Sequence, residues 1–380
     1  MAIPKRAIVL GDGTAGITLA NKLRYLTSEK DLEVFLVGNS QRHFYKPDGL
    51  LIPFGYKNYR RSIKPVDFLI NYGVNYVRDE VSRLDLSQKI VFLKSGKSLM
   101  GDFIVIATGT RYTPEEIPGY DGEAKHFYDL QHALELKEYL NAFNGGNVVV
   151  GSTAKSIQYP QSLFEFSLLL NAFMEERGVR SKSNIVLLSN EEKLSPDSNL
   201  DGQIRNLLQA KNIQLHDNVI VKSVNPKNKE VECSDGNKYK YSLLVLAPPH
   251  RGKSIQLPKE FVDDLDFVKV DPKTLTLKGY PDVFAIGDAN NLTAFKSAAA
   301  AHLQATFVAS RIVRSVTGGL SESTYIFRSP EIILTDSDKA FSYLMTEDGG
   351  QKRIYESKGD FILGWSSSDT YFSSLLRGMV

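Results

Sequence analysis

One turn near the start of the chain constrains the fold more than any other feature. Ala7-Ile8-Val9-Leu10 is a short, wholly apolar run, the pattern of a strand buried on both faces. It passes directly into Gly11-Asp12-Gly13-Thr14-Ala15-Gly16, after which Ile17, Leu19, Leu23 and Leu26 return at helical spacing. Strand, Gly-x-Gly-x-x-Gly and helix in that order form the context in which a dinucleotide fingerprint has a physical meaning. Gly11 would make the tight turn, Gly13 would let a pyrophosphate reach the backbone, and Gly16 would let helix and strand pack closely. Thr14 and Ala15 open the helix, whose first N–H groups have no partner within it and can face a phosphate.

The group that should close this site is weaker. An acidic side chain roughly 20 residues on normally holds the ribose hydroxyls. Here the second strand, Leu32-Glu33-Val34-Phe35-Leu36-Val37, ends in Gly38-Asn39-Ser40. Asn39 is left to hydrogen-bond the ribose without a charge, and Asp12 brings an unhelpful negative charge unless it points away. Both details reduce the expected affinity for nucleotide and leave the fold untouched.

Two further apolar strands end in small residues. Phe103-Ile104-Val105-Ile106 runs into Ala107-Thr108-Gly109, and Asp282-Val283-Phe284-Ala285-Ile286 runs into Gly287-Asp288-Ala289. The order of these three motifs resembles that of the FAD/NAD-linked pyridine nucleotide–disulfide oxidoreductase superfamily over nearly the whole chain. Within it the likeness is to sulfide:quinone oxidoreductases and type II NADH dehydrogenases. Supporting stretches are His43-Phe44-Tyr45-Lys46-Pro47, Leu163–Leu170, Leu244-Val245-Leu246-Ala247-Pro248-Pro249 and Tyr280–Asn290. The resemblance implies an α/β chain with two Rossmann-like domains and a C-terminal cap, and FAD as cofactor. Residues 1–112 with 247–319 would form a discontinuous FAD-binding domain, 113–246 a degenerate NAD-like domain, and 320–380 the cap. Asp288 would accept a hydrogen bond from a ribityl hydroxyl. Lys296, at the head of the helical run Lys296–His302, would add positive charge beside a reduced flavin ring, as would the helix N-terminus.

The middle segment departs from the family pattern. Its first strand and turn, Asn147-Val148-Val149-Val150-Gly151, continue as Ser152-Thr153-Ala154-Lys155-Ser156. Thr153 and Ser156 stand where a nicotinamide dinucleotide needs glycine. The next strand, Asn184–Leu188, ends in Ser189, with Glu191 the nearest acid. No working NAD(P)H site is expected. The sulfide:quinone members need redox cysteines instead, and this chain has a single cysteine. The resemblance places the family's cysteines near Ser156-Ile157-Gln158-Tyr159-Pro160, near Glu331–Thr335 and, in some members, near His126–Asp129; none of these residues is cysteine. One thiol also rules out an intrachain disulfide and any cysteine-built zinc site. Cys233 lies in the polar run Glu232–Gly236, which reads as a hairpin turn with an incidental, exposed thiol.

Three functions remain open. One is a flavoenzyme with an unidentified donor, passing electrons to a quinone or a protein acceptor. Another is an FAD-binding scaffold or regulatory subunit without turnover. The third is a sulfide:quinone oxidoreductase that works without cysteine. Beyond Thr317-Gly318-Gly319, Phe341–Met345 alternates like a strand. Tyr371, Phe372, Leu375, Leu376 and Met379 then form one apolar helical face, after a joint at Gly364–Ser368. That face suits the chain's own core, a partner in a homo-oligomer, or peripheral contact with a membrane. A net charge of +2 with scattered lysines and arginines excludes nucleic acid as the expected partner. No apolar run reaches the ~20 residues that span a bilayer. The expected location is cytoplasmic, with the inner face of the membrane as the alternative. No metal site is expected.

Overall fold

The structure is a computed structural model that describes residues 3–154, 159–253, 255–292, 296–319, 323–346, 355–357 and 367–379; for 329, 330 and 355–357 only the backbone is described. The chain begins with β1 (Lys5–Leu10), α1 (Thr14–Leu26), β2 (Leu32–Gly38), β3 (Val74–Arg78), β4 (Phe103–Ile106) and β5 (Thr110–Tyr112). The middle comprises α2 (Leu130–Ala142), β6 (Gly146–Ser152), α3 (Gln161–Glu176), β7 (Ser183–Leu188), α4 (Ser198–Ala210), β8 (Ile213–His216) and β9 (Leu243–Ala247). The chain returns through β10 (His250–Gly252), β11 (Thr276–Leu277), β12 (Tyr280–Ala285) and α5 (Ala298–Thr317), and ends in β13 (Arg328–Leu334), β14 (Ala340–Thr346) and a π-helical turn at Tyr371–Leu375.

Two parallel sheets organise these elements. The first has the order β11-β12-β4-β1-β2-β3, parallel except for the edge pair β11–β12. The second has the order β8-β7-β6-β9 and is wholly parallel. In each, successive crossovers leave the first strand in opposite directions, so the carboxyl ends of β1 and β4, and of β6 and β9, flank a crevice. The pair β5–β10 is antiparallel and ties the outgoing and returning links together. Among the described residues no helix is long and apolar enough to cross a membrane.

The sequence explains the core. Ala7 to Leu10 and Phe103 to Ile106 are all buried, as strands covered on both faces must be. In α1, Ile17, Leu19 and Leu23 are buried and Leu26 is half out at 43%. Helix α3 buries every residue from Gln161 to Met174, so it lies inside the molecule. Its Phe166 ring stacks on Phe127 at 5.0 Å and meets Phe54 at a tilt, 5.1 Å away. Cys233 corrects one expectation. The turn after it is real, since Gly236 N–H donates to the Cys233 carbonyl. The thiol, however, is only 3% exposed and packs with Val221, Val231 and Tyr241. Burial pushes it up to about 12, which leaves it protonated and unreactive.

Candidate functional site

The carboxyl ends of β1, β2, β4 and β12 open on one cleft of about 830 Å³, within the range of small-molecule and cofactor sites. Gly11, Gly13, Thr14 and Ala15 line it from the first turn, Ala107, Thr108 and Gly109 from the end of β4, and Gly287 and Asp288 from the end of β12. Asn39 and Lys296 complete the set. Of the residues singled out from sequence, only Gly16 lies behind the wall. Stretches far apart in sequence thus meet because β4 lies beside β1 and β12 lies beside β4.

Local backbone chemistry makes this meeting close. Gly11 has φ +116°, and a Cβ there would overlap the carbonyl of Ala107. A Cβ on Gly16 would overlap the carbonyl of Gly11. At Gly13 a Cβ would meet nothing within 4 Å, so the backbone there faces open cleft. That is the arrangement a phosphate needs.

The end of β2 resolves the concern over Asp12. Its carboxylate accepts hydrogen bonds from the Ser40 N–H, the Ser40 hydroxyl and the Tyr76 hydroxyl, each at 2.8 Å. It also packs against Gly38, where a Cβ would overlap it. The charge therefore belongs to the loop after β2. A carboxylate does stand at that strand's end, contributed by the glycine loop. Asn39 is engaged elsewhere, its amide donating to Glu80 at 2.7 Å.

At the other end of the cleft, helix α5 begins two residues later than the sequence suggested, with Ser297 as its cap. Lys296 is 7% exposed, donates to the carbonyls of Asp288 (2.9 Å) and Asn290 (2.6 Å), and lies 3.9 Å from the Phe267 ring centre. Burial lowers it to about 8. It therefore stays charged at neutral pH, held in place by the two carbonyls. The three segments where the resemblance placed cysteines also reach this end. Tyr159, Phe127 with Tyr128, and Glu331 with Ile332 and Leu334 all line the cleft. Ser156, and with it residues 155–158, lie outside the described residues.

The C-terminal stripe turns inward. Tyr371, Phe372 and Leu376 are buried, Leu375 is half-buried, and Met379 alone is exposed. Tyr371 packs 4.5 Å from the Tyr45 ring. Its hydroxyl donates to Thr14 Oγ1 at 2.9 Å and meets His43 Nε2 at 2.7 Å. Burial drops His43 to about 4, which keeps the imidazole beside Tyr371 neutral at neutral pH. Asn21, one helical turn and more beyond, donates to the carbonyls of Leu69 and Leu376. Of the coverings open to that face, the chain's own core takes most of it, and the segment buttresses the first turn's helix. The joint at residues 364–366 lies outside the described residues.

The middle loop is built differently. Thr153 is 6% exposed and sends both its N–H (3.2 Å) and its hydroxyl (2.8 Å) to the carbonyl of Ala247, the last residue of β9. A side chain thus bridges the ends of β6 and β9, where a dinucleotide would enter. Nearby, His126, Asp129 and His132 offer ligand atoms within 4.8 Å of one another. The two imidazoles stack at 3.9 Å and 27°, so their in-plane lone pairs do not converge on one ion. Asp129 instead caps α2, accepting from the His132 N–H at 3.0 Å.

Sequence reasoning missed Glu165, although a lone acid in the apolar run Leu163–Leu170 was a visible signal. It saw Tyr371 only as part of an apolar stripe, because the contact with Thr14 spans nearly the whole chain and leaves no local trace.

Comparison with known proteins agrees with this geometry. Residues 5–305 match the family described as Pyridine nucleotide-disulphide oxidoreductase. The mitochondrial sulfide:quinone oxidoreductase of Mus musculus is 26% identical over 311 residues, covering 78% of this chain and 68% of its own. The structure of the sulfide:quinone oxidoreductase from Aquifex aeolicus superposes with a TM-score of 0.84 at 19% identity, over 98% of this chain and 92% of that one. A chain of the Tetrahymena thermophila mitochondrial ATP synthase gives 0.80 at 17% identity, over 99% and 95%. These two likenesses concern the fold.

Proposed function

The chain belongs to the pyridine nucleotide-disulphide oxidoreductase family, and from that premise we propose that it binds FAD in the cleft and passes electrons from a donor other than NAD(P)H to a quinone or a protein. The observation that carries this reading is the convergence of Gly11–Ala15, Ala107–Gly109 and Gly287–Asp288 on one cleft. The fit is favourable at each part of the cofactor. The open backbone at Gly13 and the first turn of α1 suit the pyrophosphate. Asp288 suits a ribityl hydroxyl, and Lys296 with the N-terminus of α5 suits negative charge at the ring. Bound FAD would supply two-electron and one-electron redox chemistry.

The donor is argued by exclusion. Thr153 fills the place of a phosphate-facing glycine in the middle loop, which speaks against NADH and NADPH. The one thiol, Cys233, is buried among Val221, Val231 and Tyr241, which speaks against a cysteine relay from sulfide. On this reading residues 1–112 and 247–319 carry FAD, 113–246 is a nucleotide fold without nucleotide, and 320–380 is the cap. The test is anaerobic titration of the FAD-loaded protein with candidate donors, followed by a soluble quinone. Reduction by at least one donor and reoxidation by the quinone are expected; a flavin that no donor reduces would overturn the enzymatic reading.

A second reading has its own support. The same fold occurs in a chain of the Tetrahymena ATP synthase structure, so this architecture can serve inside an assembly. A chain that holds FAD yet is reduced by no donor would fit that role.

A further inference from the structure

An adenine dinucleotide needs a partner for its adenosine ribose, and the usual one is missing here. In dinucleotide folds an acid at the end of the second strand normally accepts from the ribose 2′-hydroxyl. In this chain β2 ends in Gly38, and the Asn39 amide is engaged by Glu80 at 2.7 Å. Glu80 is itself paired with Lys94. Both Asp79 and Glu80 follow β3, one strand farther from the glycine turn.

Asp12 stands in the gap. It belongs to the glycine turn, is buried, and lines the cleft together with Gly38, Asn39 and Ser40. A Cβ on Gly38 would overlap the Asp12 carboxylate. Gly38 is not among the glycines with positive φ, so its backbone alone does not call for glycine. Its bare Cα leaves room for the carboxylate at the strand end. Two side chains then fix the orientation. The Ser40 N–H and the Tyr76 hydroxyl donate to Oδ2, and the Ser40 hydroxyl donates to Oδ1, each at 2.8 Å. An ionised carboxylate offers about four lone-pair sites. Among the described residues, these bonds leave Oδ1 able to accept once more.

We propose that Asp12 is the ribose-binding carboxylate of this protein, moved from the end of β2 to the glycine turn, and that it selects adenine nucleotides with a free 2′-hydroxyl. The inference rests on the reading that the cleft holds FAD, and it adds the partner for the adenosine half. Asp12 accepts from the ribose O–H, while Ser40 and Tyr76 hold it at the end of β2. A 2′-phosphate in that place would meet a like charge and be rejected.

The experiment uses the full chain freed of bound nucleotide, with ADP and 2′-deoxy-ADP as probes in calorimetry, beside FAD and FMN. The wild-type chain is expected to bind ADP about tenfold or more tighter than 2′-deoxy-ADP, as one hydrogen bond to a charged acceptor allows. Asp12→Asn should bind ADP about tenfold more weakly and lose that preference. Its FAD affinity should fall by a similar factor, while FMN, which has no adenosine, should bind as it does to the wild-type chain. Gly38→Ala, which crowds the carboxylate out of its place, should act in the same direction. A loop merely loosened by the substitution would weaken both ADP probes alike and keep their ratio. An unchanged ratio in Asp12→Asn, no preference in the wild-type chain, or an unaltered FAD affinity in Asp12→Asn would overturn the proposal. If ADP shows the expected preference and FAD is not bound, the proposed function falls and the ribose site stands. If neither is bound, both fall.

Discussion

The molecule holds two versions of one motif, a glycine turn at the end of a first parallel strand, and they have opposite fates. At β1 the turn presents open backbone at Gly13 and lies within reach of two other strand ends. At β6 the same place is taken by Thr153, whose N–H and hydroxyl both go to Ala247. A phosphate site consists of unsatisfied N–H groups and empty space. The first turn retains both. The second has used them for internal hydrogen bonds, which keeps the sheet and closes the site. Fold and function therefore separate at the scale of a few side chains, since β6, β7, β8 and β9 still form a regular parallel sheet.

The largest test of this contrast is at Gly13. Gly13→Val places a branched side chain in the open cradle. At about 3 kcal/mol, the upper end of a typical overpacking cost, FAD affinity should fall about 100-fold, measured by flavin fluorescence on titration. Unaltered affinity would mean that the pyrophosphate does not lie there. Next in size is the inertness of the second turn. With NADH in the micromolar range, flavin reduction should stay below about 0.01 s⁻¹, roughly a thousandfold under a typical turnover, in anaerobic stopped-flow. Rapid bleaching would show that Thr153 does not block the site.

Smaller effects probe what supports the first turn. Tyr371→Phe removes the hydroxyl that links His43 to Thr14. About 1.4 kcal/mol lost at the cradle corresponds to about tenfold weaker FAD binding, readable by calorimetry. No change would make the C-terminal segment a bystander. His43 gives a pH signature. Its folded pKa, about 4, lies below the ordinary 6.5, so the unfolded chain binds the extra proton between those values. Its contribution is complete above about pH 6.5 and is lost as pH falls towards 4. His126 and His250, lowered by burial to about 4 and about 3, act in the same sense. Glu165, raised, acts oppositely as pH rises above its ordinary value. His43→Gln should remove about 1–2 kcal/mol of the loss between pH 6.5 and 5, seen in urea unfolding; an identical pH slope would contradict the assignment. The smallest effect is expected at Cys233. Cys233→Ser buries a hydroxyl and costs about 1–3 kcal/mol of stability, yet should leave flavin content and donor-driven reduction unchanged.

The first turn was readable because its chemistry is local, since strand, glycines and helix are contiguous and each has a steric task. The strand ends at Ala107–Gly109 and Gly287–Asp288 were readable for the same reason. What stayed hidden depends on contacts across the chain. Asp12 looked like a liability until Ser40 and Tyr76 were seen to hold it. Cys233 looked exposed because its neighbours in sequence are polar, while burial is decided by Val221, Val231 and Tyr241. The stripe from Tyr371 to Met379 showed an apolar face without showing what covers it, and α1 with Tyr45 and His43 supplies the answer. Glu165 was overlooked inside its apolar run because only the fold brings it to the cleft.

One measurement bears on the central claim most directly: the visible absorption spectrum of the purified full-length chain, before and after incubation with FAD and removal of the excess. The account predicts the paired bands of oxidised flavin, released as intact FAD on denaturation and absent in Gly13→Val. A folded wild-type chain that shows no flavin bands even after reconstitution would contradict it.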